Sequence, residues 1–347
     1  MDIFGQLVVN GIAVGGVYAL IALGFVLIYK ATSIINFATG EFMMIGAYFF
    51  YTFMVMAGLP AIPSFLLVML AAAMLGFVGV RVGLRKKFGQ PVISIMVAAV
   101  VLFSIIMIMA GLYAIASFIL VMLAAAGLGF LVERSILRHM LGQPVISIIM
   151  VTIGLSSILM GLAEIFWSTD FKSFPPLFPR APVIIGGLII RSNLFYGFVV
   201  AMIAVGIFAL IFKYAKVGVA MRATADDQMA SFSMGINVRS MFTIAWAMGA
   251  VAASLGGIII GNIGGIQPTL GHVGLKIFPV VILGGLDSIA GAVIGGFIVG
   301  LVENIAGGYL DRYVGGGVKD VAPFVVLVLI LLFKPYGLFG KEEIERL

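Results

Sequence analysis

The sequence predicts an all-α fold, a polytopic transmembrane helical bundle of about eleven spans, about nine in a parent set and two more from a duplication. Three observations carry this prediction. Apolar residues make up 63% of the 347 and charged residues 10%, whereas soluble domains carry about 25% charged residues. The mean hydropathy is +1.26, and several uncharged runs reach the roughly 20 residues that a helix needs to cross a hydrocarbon core. Residues 57–101 align without a gap on 110–154 with 27 identities in 45 positions. This is a tandem repeat of one two-helix unit, 57–109 followed by 110–162, inside a single transmembrane domain spanning 1–347.

In lipid the backbone must satisfy its own hydrogen bonds, so each long apolar run reads as a helix, and Lys and Arg in short loops mark the cytoplasmic side. The first run, 3–29, is longer than the roughly 7–15 residues of a signal-peptide core and has no basic leader, so it reads as a retained helix ending at Lys30. Span two covers 34–58. Span three runs from 60 to a basic loop holding Arg81, Arg85, Lys86 and Lys87. Residues 91–132 carry no charge over twice the length of one span, so the chain crosses and returns, with a corner near 110–112. It reaches Glu133, Arg134, Arg138 and His139, leaves through 144–167, and exposes 168–194 with its FPPLFPRAP stretch on the outer side. It then returns through 195–212 to Lys213, Lys216, Arg222 and Arg239.

Spans at 241–262, 288–308 and 321–335 follow, while 272–286 is short and runs into LGGLDS, where the chain passes inward and back. Every strongly basic loop then lies inside, with the N-terminus outside and the C-terminus cytoplasmic. A repeated unit made of one inward and one outward pass adds an even number of crossings, so all later loops keep their sides. The net charge of +6 sits in these short loops and suits a membrane surface rather than nucleic acid. The absence of cysteine excludes disulfides, thiolate metal sites and a Cys nucleophile. There is no GxxxxGK[ST] loop, no HExxH and no nucleophile elbow, so no metal or cofactor is implied. The chain has no machinery of its own for hydrolysing ATP.

The most informative polar segment is AKVGVAMRATADDQMASFSMGINVRS, 215–240. A glycine opens it, Ala-rich helix formers follow, Asp226 and Asp227 sit in the middle, and Gly235-Ile236-Asn237 closes it as a helix stop does. It reads as a helix at the cytoplasmic face, either an amphipathic element held at the interface or a docking helix that enters a groove on a soluble partner.

This loop resembles the coupling loop of permease subunits in ATP-binding-cassette importers, and RATADDQMASFSMGIN resembles the branched-chain amino acid permease family in particular. IINFATGEFMMIGAY at 34–48, VERSILRHM at 132–140, VILGGLDSIAGAVIGG at 281–296 and KDVAPFVVLVLILLFKPYGLFG at 319–340 agree with the same family. The resemblance runs from about residue 10 to residue 341, interrupted by the repeated block. Three departures are visible. The family pattern has His at the place of Thr39, Gly at that of Asp287 and Pro at that of Ala290. The turn of the first copy, VRVGLRKKF, also lacks the Glu133-Arg134 pair of the second, which makes 57–109 the added copy.

The resemblance implies a permease subunit in a bacterial cytoplasmic (inner) membrane that moves leucine, isoleucine or valine. It would form the path with a second permease subunit, as a hetero- or homodimer. Two cytoplasmic ATPase subunits would drive it, and a periplasmic substrate-binding protein would load it. Coupling to the ATPases would fall on Gly218, Arg222, Ala223, Asp226, Asp227, Ser231, Gly235, Ile236 and Asn237. Path or gate residues would be Asn36, Thr39, Gly40 and Glu41, together with the glycine break at Gly284, Gly285, Asp287 and Ser288.

A carboxylate such as Glu41 within a span costs roughly 2–3 kcal/mol unless it is paired or faces water. Asn36, Thr39 and Glu41 therefore either line a path or make the buried hydrogen bonds that start span two. Related permeases carry urea, short amides or other small polar solutes. A stand-alone secondary transporter or channel would instead need intramembrane ionisable pairs, for which Glu41 and Glu164 are the candidates. A third possibility is an aberrant, duplicated variant that inserts without transporting.

Overall fold

The computed structural model describes residues 3–57, 113–140 and 142–340. The first copy of the repeat, 57–109, lies outside the described residues except for Ala57, as do the corner at 110–112 and the basic loop at 81–87. Among the described residues six helices are long and apolar enough to cross a membrane, and the protein is an all-α, multi-pass membrane protein with one small hairpin.

Helix α1 (Ile3–Thr32) has no charged residue before Lys30 and is buried on all sides from Val17 to Ile28. A helix apolar all round belongs in the centre of a bundle, and α1 is packed by α5 (Ser192–Tyr214), α8 (Val238–Gly264), α9 (Val273–Gly284) and α10 (Ile289–Val314). Lipid gives no hydrophobic drive for helices to associate, so close backbone approach through small residues must supply it. Gly11 and Gly15 of α1 face Gly296 and Gly300 of α10, two GxxxG pairs set against each other. A Cβ on Gly11 would lie 2.9 Å from the Leu301 Cα, and one on Gly15 would lie 2.8 Å from the Phe297 Cα. On the other side of α1, Gly24 meets Gly249 of α8.

Helix α2 (Thr39–Ala57) packs on α3 (Tyr113–Ser135), α4 (Val145–Trp167) and α8. The Trp167 indole N–H donates to Thr52 Oγ at 2.6 Å, and its ring stacks on Tyr48. Strands β1 (Val183–Ile185) and β2 (Leu188–Ile190) follow α4 as an antiparallel pair. Gly186 and Gly187 both have positive φ, the two-residue turn whose twist suits a hairpin. The preceding segment is tied to the end of α8 by a reciprocal backbone pair between Lys172 and Ile266. We call this the hairpin end of the bundle, since Gln6 at the start of α1 also donates to Ile189 O there.

The opposite end carries α6 (Lys216–Asp226) and α7 (Gln228–Ser233) and is called the elbow end. Helix α11 (Val318–Phe333) follows α10 after three consecutive glycines, Gly315 to Gly317, all with positive φ. Helix α2 ends and helix α3 begins at the hairpin end.

The spans read from sequence at 144–167, 195–212, 241–262 and 288–308 correspond to α4, α5, α8 and α10. The short span at 272–286 is where the structure differs. A 3₁₀ turn, Pro268–His272, precedes α9, whose 12 residues extend about 18 Å. The break inside the bundle is therefore at 265–272. Gly284-Gly285 is a turn at the elbow end, where Lys30 Nζ donates to Asp287 O at 3.0 Å. The reason is packing: Leu338 N and Phe339 N donate to Leu283 O and Gly284 O, so the segment after α11 closes over the glycines.

Gly15→Leu should lower the stability of the detergent-solubilised protein by about 1–3 kcal/mol or more through overpacking against α10. Gly154→Leu, where nothing lies within 4 Å of the added Cβ, should stay within about 0.5 kcal/mol. Equal unfolding midpoints for the two variants would contradict the central position of α1.

Candidate functional site

The elbow is built from the end of α5 outward. Burying Gly218 lets α6 turn back against α5, because any Cβ there would strike the carbonyls of Ile211 and Phe212. Arg222 then donates to Phe212 O and, at 3.1 Å, to Lys213 O, with its guanidinium over the Phe212 ring. A cation on the last carbonyls of a helix both satisfies orphan acceptors and complements the dipole. Gly218 and Arg222 thus weld α6 to α5.

The sequence predicts one helix within 215–240, but Asp227 interrupts it. Its backbone is extended, and its side chain accepts from Ala230 N at 2.9 Å, capping α7. Helix α7 ends in a Schellman arrangement: Ile236 N donates to Ser231 O and Gly235 N to Phe232 O, with Gly235 at φ 82. Asn237 caps α8 by accepting from Ser240 N. Asp227, Ser231, Gly235, Ile236 and Asn237 therefore shape the elbow. Asp226 is exposed beside them and Ala223 is half-buried.

The outward face of the elbow is apolar. Met229, Phe232 and Met234 are 78%, 72% and 83% exposed. Beside them a cavity of about 940 Å³ opens between α7, the start of α4 and the residues after α1. Phe232 is the one aromatic residue of 215–240, with Met229 one turn before it on α7 and Met234 just after the helix.

A second locus lies where the chain leaves α1 and enters α2. Asn36 Oδ1 accepts from Ala38 N at 3.0 Å, and Thr39 Oγ donates to Asn36 O at 2.9 Å, so both residues fix the start of α2. Gly40 lets α2 touch the 3₁₀ turn and the start of α9, since a Cβ there would strike the Gly271 carbonyl and lie 2.9 Å from the Gly274 Cα. Glu41 is buried with Oε1 against Gly271, while Glu41 Oε2 and Asn36 Nδ2 are buried without a protein partner. Gly284, Gly285, Asp287 and Ser288 stand apart, in the turn at the elbow end, where Ser288 accepts from Gly291 N and caps α10.

A third locus was missed. Glu303 of α10, 1% exposed, accepts from Lys276 of α9 at 2.9 Å and from the Tyr18 hydroxyl of α1 at 2.7 Å. Lys276 also pairs with Asp320 of α11 at 2.7 Å, and Lys319 lies 3.6 Å from Glu303. Buried charge is tolerated here because two carboxylates and two ammonium groups neutralise one another. The signal was a single Lys in VGLKIFPV and a single Glu in LVENIAGG, each in an apolar run. Glu164, by contrast, is exposed near the end of α4. Arg138 holds both Glu133 oxygens, at 3.1 and 2.9 Å, and Thr243 donates to one of them.

The family model for the branched-chain amino acid transport system permease component matches residues 7–114 and 96–333. The chain is 29% identical over 351 residues to the high-affinity branched-chain amino acid transport system permease protein BraD of Pseudomonas aeruginosa, covering 98% of this chain and 97% of that protein. It is 29% identical over 353 residues to LivH of Salmonella typhimurium, a protein with the same description, covering 99% and 97%. It is 24% identical over 355 residues to a probable branched-chain amino acid transport permease protein LivH of Methanocaldococcus jannaschii, covering 100% and 96%. No solved structure matches.

Lys276→Met should destabilise the folded protein by about 3–5 kcal/mol, because it leaves Glu303 buried with poorer compensation. The double variant Lys276→Met/Glu303→Leu should recover more than half of that loss in chemical denaturation. Strictly additive effects would contradict the pairing.

Proposed function

Because the chain belongs to the branched-chain amino acid transport permease family, we propose that it is the membrane-spanning permease subunit of an ATP-binding-cassette importer for leucine, isoleucine and valine. It acts in a bacterial cytoplasmic membrane with the N-terminus outside and the elbow and C-terminus in the cytoplasm. About eleven spans cross the bilayer, two of them from the added copy 57–109, and entry and exit of the chain at one end of the bundle accord with that even number. The partners are a second permease subunit, two ATPase subunits and an external binding protein.

The observation that carries this reading is the elbow: an apolar knob of Met229, Phe232 and Met234 on a short helix set off by Asp227. Such a knob suits a groove on a soluble partner. Closure of the paired ATPases pushes the knob, and the Gly218 and Arg222 weld passes the displacement to α5 and through it to α1. This shifts a two-state population between outward and inward forms. Asn36, Thr39, Gly40 and Glu41, against the turn at 268–272, form the gate, and the Gly284, Gly285, Asp287 and Ser288 turn moves with the elbow. The unpartnered Glu41 oxygen and Asn36 amide support a wet path at that junction.

The cluster of Lys276 and Asp320 around the buried Glu303 favours a second reading, an ion-coupled transporter needing no ATPase. A cargo of urea, short amides or another small polar solute remains within the family pattern.

Uptake of labelled leucine, urea and ribose into proteoliposomes separates these readings. With the permease partner, ATPases and binding protein present, the full chain and a chain lacking 57–109 should both accumulate leucine only when ATP is supplied. Phe232→Ala should lower the rate about tenfold without shifting the unfolding midpoint. Leucine uptake driven by an ion gradient without ATPases would overturn the reading, and uptake by the shortened chain alone would make the repeat an obstacle to transport.

A further inference from the structure

A cavity of about 800 Å³ opens at the hairpin end between the 171–182 segment, the start of α5, the end of α8 and the flanks of α1 and α10. Among the described residues three cationic side chains line it, Arg180, Arg191 and Lys319, and no carboxylate does. Lys319 shares its charge with Glu303 behind it, which leaves Arg180 and Arg191 as the positive groups of the rim.

The 23-residue α5 begins in this wall with no side-chain cap, so its first N–H groups lack intrahelical acceptors. Leu194 N and Phe195 N are taken up by Arg191 O. Two further donors are stranded. Ser192 is 5% exposed and its hydroxyl has no protein partner, and Asn262 Nδ2 is buried and equally unpartnered. The neighbouring Asn193 donates its amide to Asn262 O at 3.0 Å and accepts from neither of them. A buried donor without an acceptor costs roughly 1–3 kcal/mol, so two together at an uncapped helix N-terminus, beneath two arginines, form a site that an anionic acceptor completes. The remaining wall includes Val14, Phe174, Leu194 and Ile263, which suits an aliphatic body attached to that anion.

The geometry points to a receiving site for the carboxylate of a small aliphatic acid, resting on the proposed reading of the chain as an amino acid permease. Ser192, Asn262 and the start of α5 take the carboxylate oxygens, and Arg180 and Arg191 draw it in. In an importer this is the first station that cargo meets after release from the binding protein, before the junction at 268–272. Recognition is through the carboxylate, so the amino group is not required.

Equilibrium dialysis of labelled leucine against the full chain in nanodiscs tests this. Leucine should be retained and be displaced by 4-methylpentanoate, while leucinamide should fail to displace it. Ser192→Ala/Asn262→Ala should weaken retention at least tenfold, and Arg180→Gln, on the exposed rim, should weaken it severalfold with the unfolding midpoint unchanged. Displacement by leucinamide as readily as by leucine, equal displacement by sulfate, or retention unchanged in both variants would overturn the site. ATP-driven leucine uptake by the assembled importer alongside any of those results would sink this inference alone. Absence of such uptake with carboxylate retention intact would sink the transport reading and leave the site standing.

Discussion

The close approach of α1 and α10 is the constraint on which the rest of the bundle depends. A 30-residue helix with no charge before Lys30 must be enclosed, and in lipid enclosure is favoured only if backbones come close enough for dispersion to outweigh contact with lipid tails. Gly11 and Gly15 against Gly296 and Gly300 provide that contact. Once α10 is seated there, Glu303 sits beside Tyr18, Lys276 is drawn to it from α9, and Asp320 of α11 is drawn to Lys276. The ionic cluster is thus a consequence of the glycine contact, and it binds three helices to the central one.

The same logic separates the two ends. At the elbow end the structure is stiffened by groups that cap helices: Arg222 on α5, Asp227 on α7, Asn237 on α8 and Ser288 on α10. A stiff elbow transmits a push instead of absorbing it. At the hairpin end the walls are loop and helix terminus, and donors there stay open, as at Ser192 and Asn262. Caps filled by the chain at one end and left open at the other fit a protein that is pushed from one side and loaded from the other.

Much of the fold is legible in the sequence because lipid removes alternatives. The spans that became α1, α4, α5, α8 and α10 follow from apolar length and loop charge alone. What was not legible depends on contacts between distant residues or on one side chain's local choice. Nothing in DDQ says which aspartate will cap, yet Asp227 divides the elbow. VIIGGLII carries a hairpin signal in its Gly-Gly pair, hidden in a segment read as loop. Lys276 and Glu303 are 27 residues apart and become partners only when α9 folds against α10. At the start of α2 the sequence left two roles open, and the structure divides them: Asn36 Oδ1 and Thr39 fix the helix, while Glu41 Oε2 and the Asn36 amide remain unpartnered.

The proposed function depends on an elbow that carries force from a separate ATPase, and the chain offers a clean probe of it because it contains no cysteine. The most direct measurement is disulfide cross-linking of Phe232→Cys to single cysteines walked along the surface of the ATPase subunit in the assembled complex. The account predicts one short stretch of efficient cross-linking, lining a groove, with a yield that changes between the ATP-bound and ADP-bound states. A Phe232→Cys thiol that stays as reactive to a soluble maleimide in the complex as in the isolated chain, and cross-links nowhere, would contradict it.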